Sequence, residues 1–224
     1  MGGYDILMRR GVTRLCHFTK FQKLCDIIDS KQGILAANLI SFDIKDVTDP
    51  NRFDGELGYI SCSIQYPNSW YFNKVKDSDS DVLFKDWVII FIEPTILLNR
   101  KSKFSPCNAS KEYGAYINDN IDELESIFDS SISTWQYPRS EKMLSCCPTD
   151  GQAEIMINRD IPLSFIKGIC VPDKDLAKRV FALLKTTKQS QIRIYISNDL
   201  FTNKWSKMVR AGSVPFELEY DGIN

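Results

Sequence analysis

Residues 148–171 read PTDGQAEIMINRDIPLSFIKGICV. A polar loop runs into a short apolar strand at 153–157 (AEIMI), and a second strand follows at 165–171 (FIKGICV). Short apolar runs bounded by turn residues read as strands rather than helices. Pro172 and Asp173 then open a helix over 173–187, with acid in its first turn and lysine in its last, as the helix dipole favours. Beyond it, 192–197 (IRIYIS) alternates as a strand.

Upstream, 59–66 (YISCSIQY) and 87–93 (WVIIFIE) are strands, each closed by a proline, Pro67 and Pro94. Residues 13–18 form a short strand. Apolar residues at 21, 24, 25, 27 and 28 have helical spacing over 20–30, with Thr19 as N-cap and Gly33 as the stop. Residues 121–130 form a short acidic helix. Residues 41–56, rich in Asp and broken by Pro50, and residues 131–151 are loops, where sites concentrate. Helices and strands are interspersed without the regular spacing of a doubly wound sheet. The fold class is therefore α+β with mainly antiparallel strands.

The chain has 224 residues, enough for one large domain over 1–224 with a sizeable core. Hydrophobic residues make up 43% and the net charge is −1, which excludes disorder as the main state. No repeat or linker divides it. No apolar run reaches the ~18–20 residues of a membrane span, and MGGYDILMRRG lacks a secretory apolar region, so a cytoplasmic protein with no membrane contact is expected. Ile6 stands where a myristoylation signal wants a small hydroxyl residue. The seven cysteines are irregularly spaced and contain no C-x-x-C, which reads as reduced thiols. The sequon at Asn108 is then irrelevant as a glycan site. Residues 174–210 hold nine Lys/Arg against Asp175 and Asp199. That segment is either a solvated basic helix face or a footprint for a polyanion.

The common phosphate cradles, G-x-x-x-x-G-K-[ST] and G-x-G-x-x-G, are missing. His17 is the single histidine, which excludes zinc sites needing two, and no metal is expected. A Cys/His or Ser/His hydrolase would have to use His17 as base, and no G-x-S-x-G accompanies it. Three fragments look chemical. His17-Phe18-Thr19 ends a strand, and His17 is either a hydrogen-bonded core residue or an anchor for a polar ligand. Asp49-Pro-Asn-Arg52 offers a guanidinium that is either a surface charge or a fork for phosphate or carboxylate. The aromatics of Pro67-Asn-Ser-Trp-Tyr71-Phe72 either join the core or stack on a flat ring. The third fragment is Pro148-Thr-Asp-Gly-Gln152-Ala-Glu154. A carboxylate opening an apolar strand is either an edge residue facing water or a desolvated catalytic group.

Taken in order, these pieces resemble the DarT toxins, NAD-dependent ADP-ribosyltransferases that modify bases in single-stranded DNA. The matching text runs from about residue 13 to about residue 173: His17-Phe-Thr, Asp49-x-x-Arg52, Ser63-Ile-x-x-Pro-Asn68 with its aromatic tail, Pro106-Cys-Asn108-Ala, Pro148-Thr-Asp-x-Gln-Ala-Glu154, then Ile161-Pro-Leu-Ser-Phe-Ile and Gly168-Ile. The Gln-Ala-Glu piece is the most specific. The resemblance implies the ADP-ribosyltransferase fold, a split, mainly antiparallel β-core flanked by helices, with NAD as the ADP-ribose donor in the cleft and no Rossmann motif.

The resemblance also implies roles. Glu154 would stand near the oxocarbenium-like ribose and hold a ribose hydroxyl or take the acceptor's proton. His17 would hydrogen-bond the adenosine-side ribose, with Thr19 beside it, and Arg52 would contact the NAD phosphates or place the target base. Tyr71 or Phe72 would stack near the nicotinamide. Gln152 would select the acceptor, and Trp135, Tyr137 and Arg139 in the loop 131–151 would cover it, as suits single-stranded nucleic acid. The partners implied are single-stranded DNA or RNA and a neutralising antitoxin, macrodomain-type in most such toxins, in a toxin–antitoxin or anti-phage defence system. One departure is Pro67-Asn-Ser-Trp-Tyr-Phe72, which stands where DarT toxins often carry Tyr-Phe-x-x-Arg-Ser-Pro-Met. It leaves thymine, guanine and adenine in RNA open as acceptors. An RNA- or protein-modifying ADP-ribosyltransferase using the same cleft is the alternative.

Overall fold

The computed structural model describes residues 2–40, 53–78, 85–135 and 137–223. Strand β4 (Trp87–Ile92) is apolar at every position because it is buried on both faces. Its even residues Val88, Ile90 and Ile92 enter one core cluster, and Trp87, Ile89 and Phe91 enter the other, as the two-residue period of a strand requires. β1 (Leu15–Lys20) and β8 (Ile166–Val171) flank it, both antiparallel to it. The sheet continues outward from β1 through β3 (Tyr59–Ile64), β6 (Glu154–Asn158) and β5 (Ser102–Ser105). From β8 it continues through β9 (Arg193–Ile196) to β10 (Leu218–Tyr220). Among the described residues only the β8–β9 pairing is parallel, across the helix α5 (Lys174–Thr186). β2 (Ile34–Leu35) and β7 (Asp160–Ile161) form a separate two-stranded ladder. The architecture is α+β and mostly antiparallel, as the spacing of strands and helices indicates.

Helices cover both faces. α1 (Gly3–Arg10), α2 (Phe21–Asp29), α4 (Ile121–Ser126) and α5 bury their apolar sides in the larger cluster. α3 (Ser69–Ser78) and α6 (Lys204–Arg210) contribute Phe72, Trp205 and Val209 to the smaller one. α5 starts as the sequence indicates, with the Asp173 carboxylate accepting from Leu176 N at 2.9 Å. None of the described helices is long and apolar enough to cross a membrane.

The β1–β3 pairing positions the site. β1 matches β4 over six residue pairs but meets β3 only at Leu15↔Ile64 and Cys16↔Ser63. From His17 onward the two strands splay apart, and the sheet is split there into a fork. The expected N-cap at Thr19 needs correction for the same reason. β1 keeps pairing with β4 through Thr19↔Val88 and Lys20↔Trp87, so Thr19 stays in the strand and Lys20 is the N-cap of α2.

The tail before β10 is tied back across the fold. The Arg14 guanidinium forks onto Glu217 at 2.6 and 2.5 Å, lies 3.8 Å from the centre of the Phe91 ring, and donates Nε–H to Gln65 O. Both partners of this pair are mostly buried (14% and 16% exposed). Removing one partner strands a buried charge, which costs about 3 kcal/mol or more. Glu217→Ala is therefore expected to lower the urea midpoint clearly. An unchanged midpoint would mean that the pair contributes nothing.

Candidate active site

The fork opens into a cavity of about 430 Å³, a size typical of small-molecule sites. β1 lines it with His17 and Thr19, β3 with Tyr59, Ser61 and Ser63, α2 with Lys23 and Asp26, and α3 with Tyr71. His17 Nδ1 lies 3.0 Å from Ser61 O, bridging the splayed strands. A carbonyl oxygen can only accept, so Nδ1 carries the proton, and Nε2 of the neutral ring is an acceptor. Gly33 packs the end of the cavity against the β7 side. Its φ is +83°, and a Cβ there would meet Ile161 O at 2.1 Å, so only glycine fits.

Glu154 also lines the cavity. It is the first residue of β6 and pairs with Ser63 of β3 on one side and Ser105 of β5 on the other. Backbone ladders on both sides fix its direction. The side chain is buried (7% exposed) yet lines the cavity. Its Oε1 accepts from Asn108 Nδ2 and Ala109 N, each at 3.1 Å. The carboxylate is thus desolvated, hydrogen-bonded and rigid, as a preorganised group for developing positive charge should be.

A second cavity of about 410 Å³ adjoins the first, sharing Tyr71 and Asn108 with it. Its walls are Trp70, Tyr71 and Trp135, and its polar groups include Lys74, Lys111, Asp150 and Gln152. The Asp150 side chain is almost fully buried (1% exposed), and burial pushes its carboxyl up to about 6.

Six of the residues singled out in the sequence meet here. His17, Thr19, Tyr71 and Glu154 line the first cavity, and Trp135, Gln152 and again Tyr71 line the second. Phe72 is a correction. It is 3% exposed and packs edge-on against Phe18, Trp87 and Phe201. Adjacent side chains of a helix diverge, so the turn that faces Tyr71 into the cavities buries Phe72. Arg139 is a second correction: it donates to Leu144 O and Cys147 O at 2.6 Å and staples its own loop, lining neither cavity. Tyr137 also lines neither. It is 56% exposed, with its ring 5.6 Å from that of Trp135. Arg52 lies outside the described residues. Sequence reasoning missed Asn108 and Asp150 as site residues, although both sit in text singled out for other reasons.

Among the described residues no group of three or more His, Cys, Asp or Glu side chains is arranged to hold a metal ion. The fold is similar to that of Thermus sp. 2.9 DarT in complex with ADP-ribosylated ssDNA, with a TM-score of 0.65 at 15% identity over 85% of this chain and 97% of that one. It is also similar to the same protein in complex with NAD+ (TM-score 0.60, 15% identity, 84% and 97% of the two chains). Thermosipho africanus DarTG in complex with ADP-ribose matches at a TM-score of 0.57 and 17% identity, over 84% of this chain and 51% of that one. No curated protein matches. The family model described as "ssDNA thymidine ADP-ribosyltransferase, DarT" matches residues 16–202, and with the forked sheet and its buried glutamate already in place, the chain belongs to the DarT family of NAD-dependent ADP-ribosyltransferases.

Proposed function

We propose that this chain carries out its family's reaction, transfer of ADP-ribose from NAD to a base of single-stranded DNA, in the fork between β1 and β3, with Glu154 as the carboxylate beside the reacting ribose. The observation that carries this reading is a rigid, buried carboxylate that lines the first cavity and is hydrogen-bonded to Asn108, a residue of both cavities. Bound NAD supplies a cationic nicotinamide that leaves as a neutral molecule, so its departure needs no acid. It does need negative charge near the oxocarbenium-like ribose, which Glu154 provides. His17 Nε2 accepts from a hydroxyl of the adenosine-side ribose, Thr19 sits beside it, and Tyr71 stacks where nicotinamide meets the acceptor. Arg52 keeps the role that the family resemblance gives it, at the NAD phosphates or the target base.

The second cavity receives the base. Its indole and phenol rings suit an unstacked base, and Gln152 offers both a donor and an acceptor to the base edge. The chain acts as one domain over 1–224, since its sheet draws strands from near both ends of the sequence. We further read it as the cytoplasmic toxin of a toxin–antitoxin pair, neutralised by a macrodomain-type antitoxin. The similarity to Thermosipho DarTG, which runs well beyond the matched part, supports that context.

Incubation with NAD and short DNA and RNA oligonucleotides, followed by mass spectrometry, tests the reading. Single-stranded DNA is expected to gain the mass of one ADP-ribose. Label on RNA alone, or only on protein in a lysate, would redirect the function to those acceptors.

A further inference from the structure

The second cavity contains a buried carboxylate besides that of Glu154 in the first. The Asp150 carboxylate is 1% exposed, yet it lines the wall shared with Trp135 and Gln152. Among the described residues, its one hydrogen bond comes from Gln152 N to Oδ1, at 2.9 Å. Among the described residues no cation lies within ion-pair distance of it. The loop around it is fixed: Thr149 N donates to Ile127 O, Thr149 Oγ1 to Asp129 O, Arg210 Nη2 to Thr149 O, and Ala153 N to Asp150 O. Lys111, on the same cavity wall, and Arg210, bonded to Thr149 O, attract the carboxylate from beyond contact, and their pull is smaller than the burial penalty, so a buried carboxylate held this firmly without a contacting ion pair costs stability. Such a cost is typical of a functional group.

We propose that Asp150 reads the acceptor base, accepting the ring N–H of a thymine-like base inserted against Trp135 and Tyr71 and taking that proton as the new bond forms. This rests on the transfer reaction proposed above. A carboxylate has lone pairs but no proton, so it pairs only with an edge that presents an N–H. Thymine, uracil and guanine carry a ring N–H. Adenine and cytosine present a bare ring nitrogen, whose lone pair the carboxylate repels. Asp150 therefore selects by ring protonation, while Gln152 and the aromatic walls accept any planar base. Lys74, exposed at the rim of the same cavity, suits the neighbouring phosphate.

The step balances. The ring nitrogen forms a bond to C1′ of the ribose, and the bond from C1′ to nicotinamide breaks with its electron pair going to nicotinamide. The ring N–H proton passes to Asp150 and then to water. A carboxyl held up at about 6 by burial is ionised at neutral pH and is a far better proton acceptor than an ordinary aspartate.

Asp150→Asn is the test, because the Asn oxygen keeps the bond from Gln152 N and removes a buried charge. NAD affinity and thermal midpoint are measured beside transfer to single strands that differ only in a central dT, dG, dC or dA. The wild type is expected to label dT or dG at least about 100-fold faster than dC or dA, with a rate that climbs through about pH 6. The variant should bind NAD within twofold of wild type, lose about 100-fold in rate on dT or dG, and lose both the base preference and the rise with pH. A variant that keeps the preference and the pH profile overturns the role of Asp150 and leaves the transfer reaction standing. Equal loss on all four bases makes Asp150 structural. A wild type that labels no strand defeats the parent reading and this one with it.

Discussion

Replacing Glu154 with glutamine is expected to leave a folded, NAD-binding protein whose transfer rate falls by about 10²-fold or more. Gln retains a carbonyl oxygen where Oε1 accepts from Asn108 Nδ2 and Ala109 N, so the loop carrying those donors stays in place. What disappears is the negative charge that the developing ribose cation needs. Alanine is a poorer test. It leaves the buried Ala109 N–H without an acceptor, at a cost of about 1–3 kcal/mol, and so mixes instability with lost chemistry. The strand makes the comparison clean, because β3 and β5 hold the backbone of Glu154 on both sides whatever its side chain. Thermal midpoints, NAD titrations and rates on a DNA strand separate the cases. Glu154→Gln transferring within threefold of wild type would exclude Glu154 as the charge that drives the reaction.

The same residue marks how far the sequence can be read. Glu154 was legible because an acid opens an otherwise apolar run, and burial on both sides of β6 makes that run recognisable. β4, β8 and α5 are legible for related reasons: continuous or alternating apolar patterns and an Asp cap. The fork is not legible, since it arises from β1 and β3 parting after two pairs, and nonlocal pairing leaves no local signal. α3 is also hidden. Its ten residues, SWYFNKVKDS, have a weak apolar stripe, and its start depends on Asn68 Oδ1 accepting from Tyr71 N. Without that helix, Tyr71 and Phe72 cannot be told apart. With it, one faces the cavities and the other the core. Arg139 misleads for another reason, because a guanidinium in an aromatic loop looks the same in sequence whether it meets a ligand or two backbone carbonyls.

His17 carries the second large effect, and its two ring nitrogens allow two explanations to be separated. Nδ1 bridges the fork by donating to Ser61 O, which is a structural duty, whereas Nε2 is the acceptor assigned to the ribose. Asparagine reproduces the first function, because its side-chain N–H₂ can occupy the place of Nδ1, but has nothing in the position of Nε2. Alanine removes both. If His17 served only the core, Asn would restore stability and NAD affinity together, and Ala would impair both. If it holds the ribose, His17→Asn folds normally and still binds NAD about 10-fold more weakly, the loss of one hydrogen bond to a buried polar group, while its preference among acceptor bases stays that of wild type. His17→Ala then adds a lower thermal midpoint to the same loss of affinity. NAD titration of both variants, read beside their melting curves, distinguishes the two accounts. Wild-type affinity in the folded Asn variant would remove His17 from the donor site, leaving Glu154 and Tyr71 to position the nucleotide.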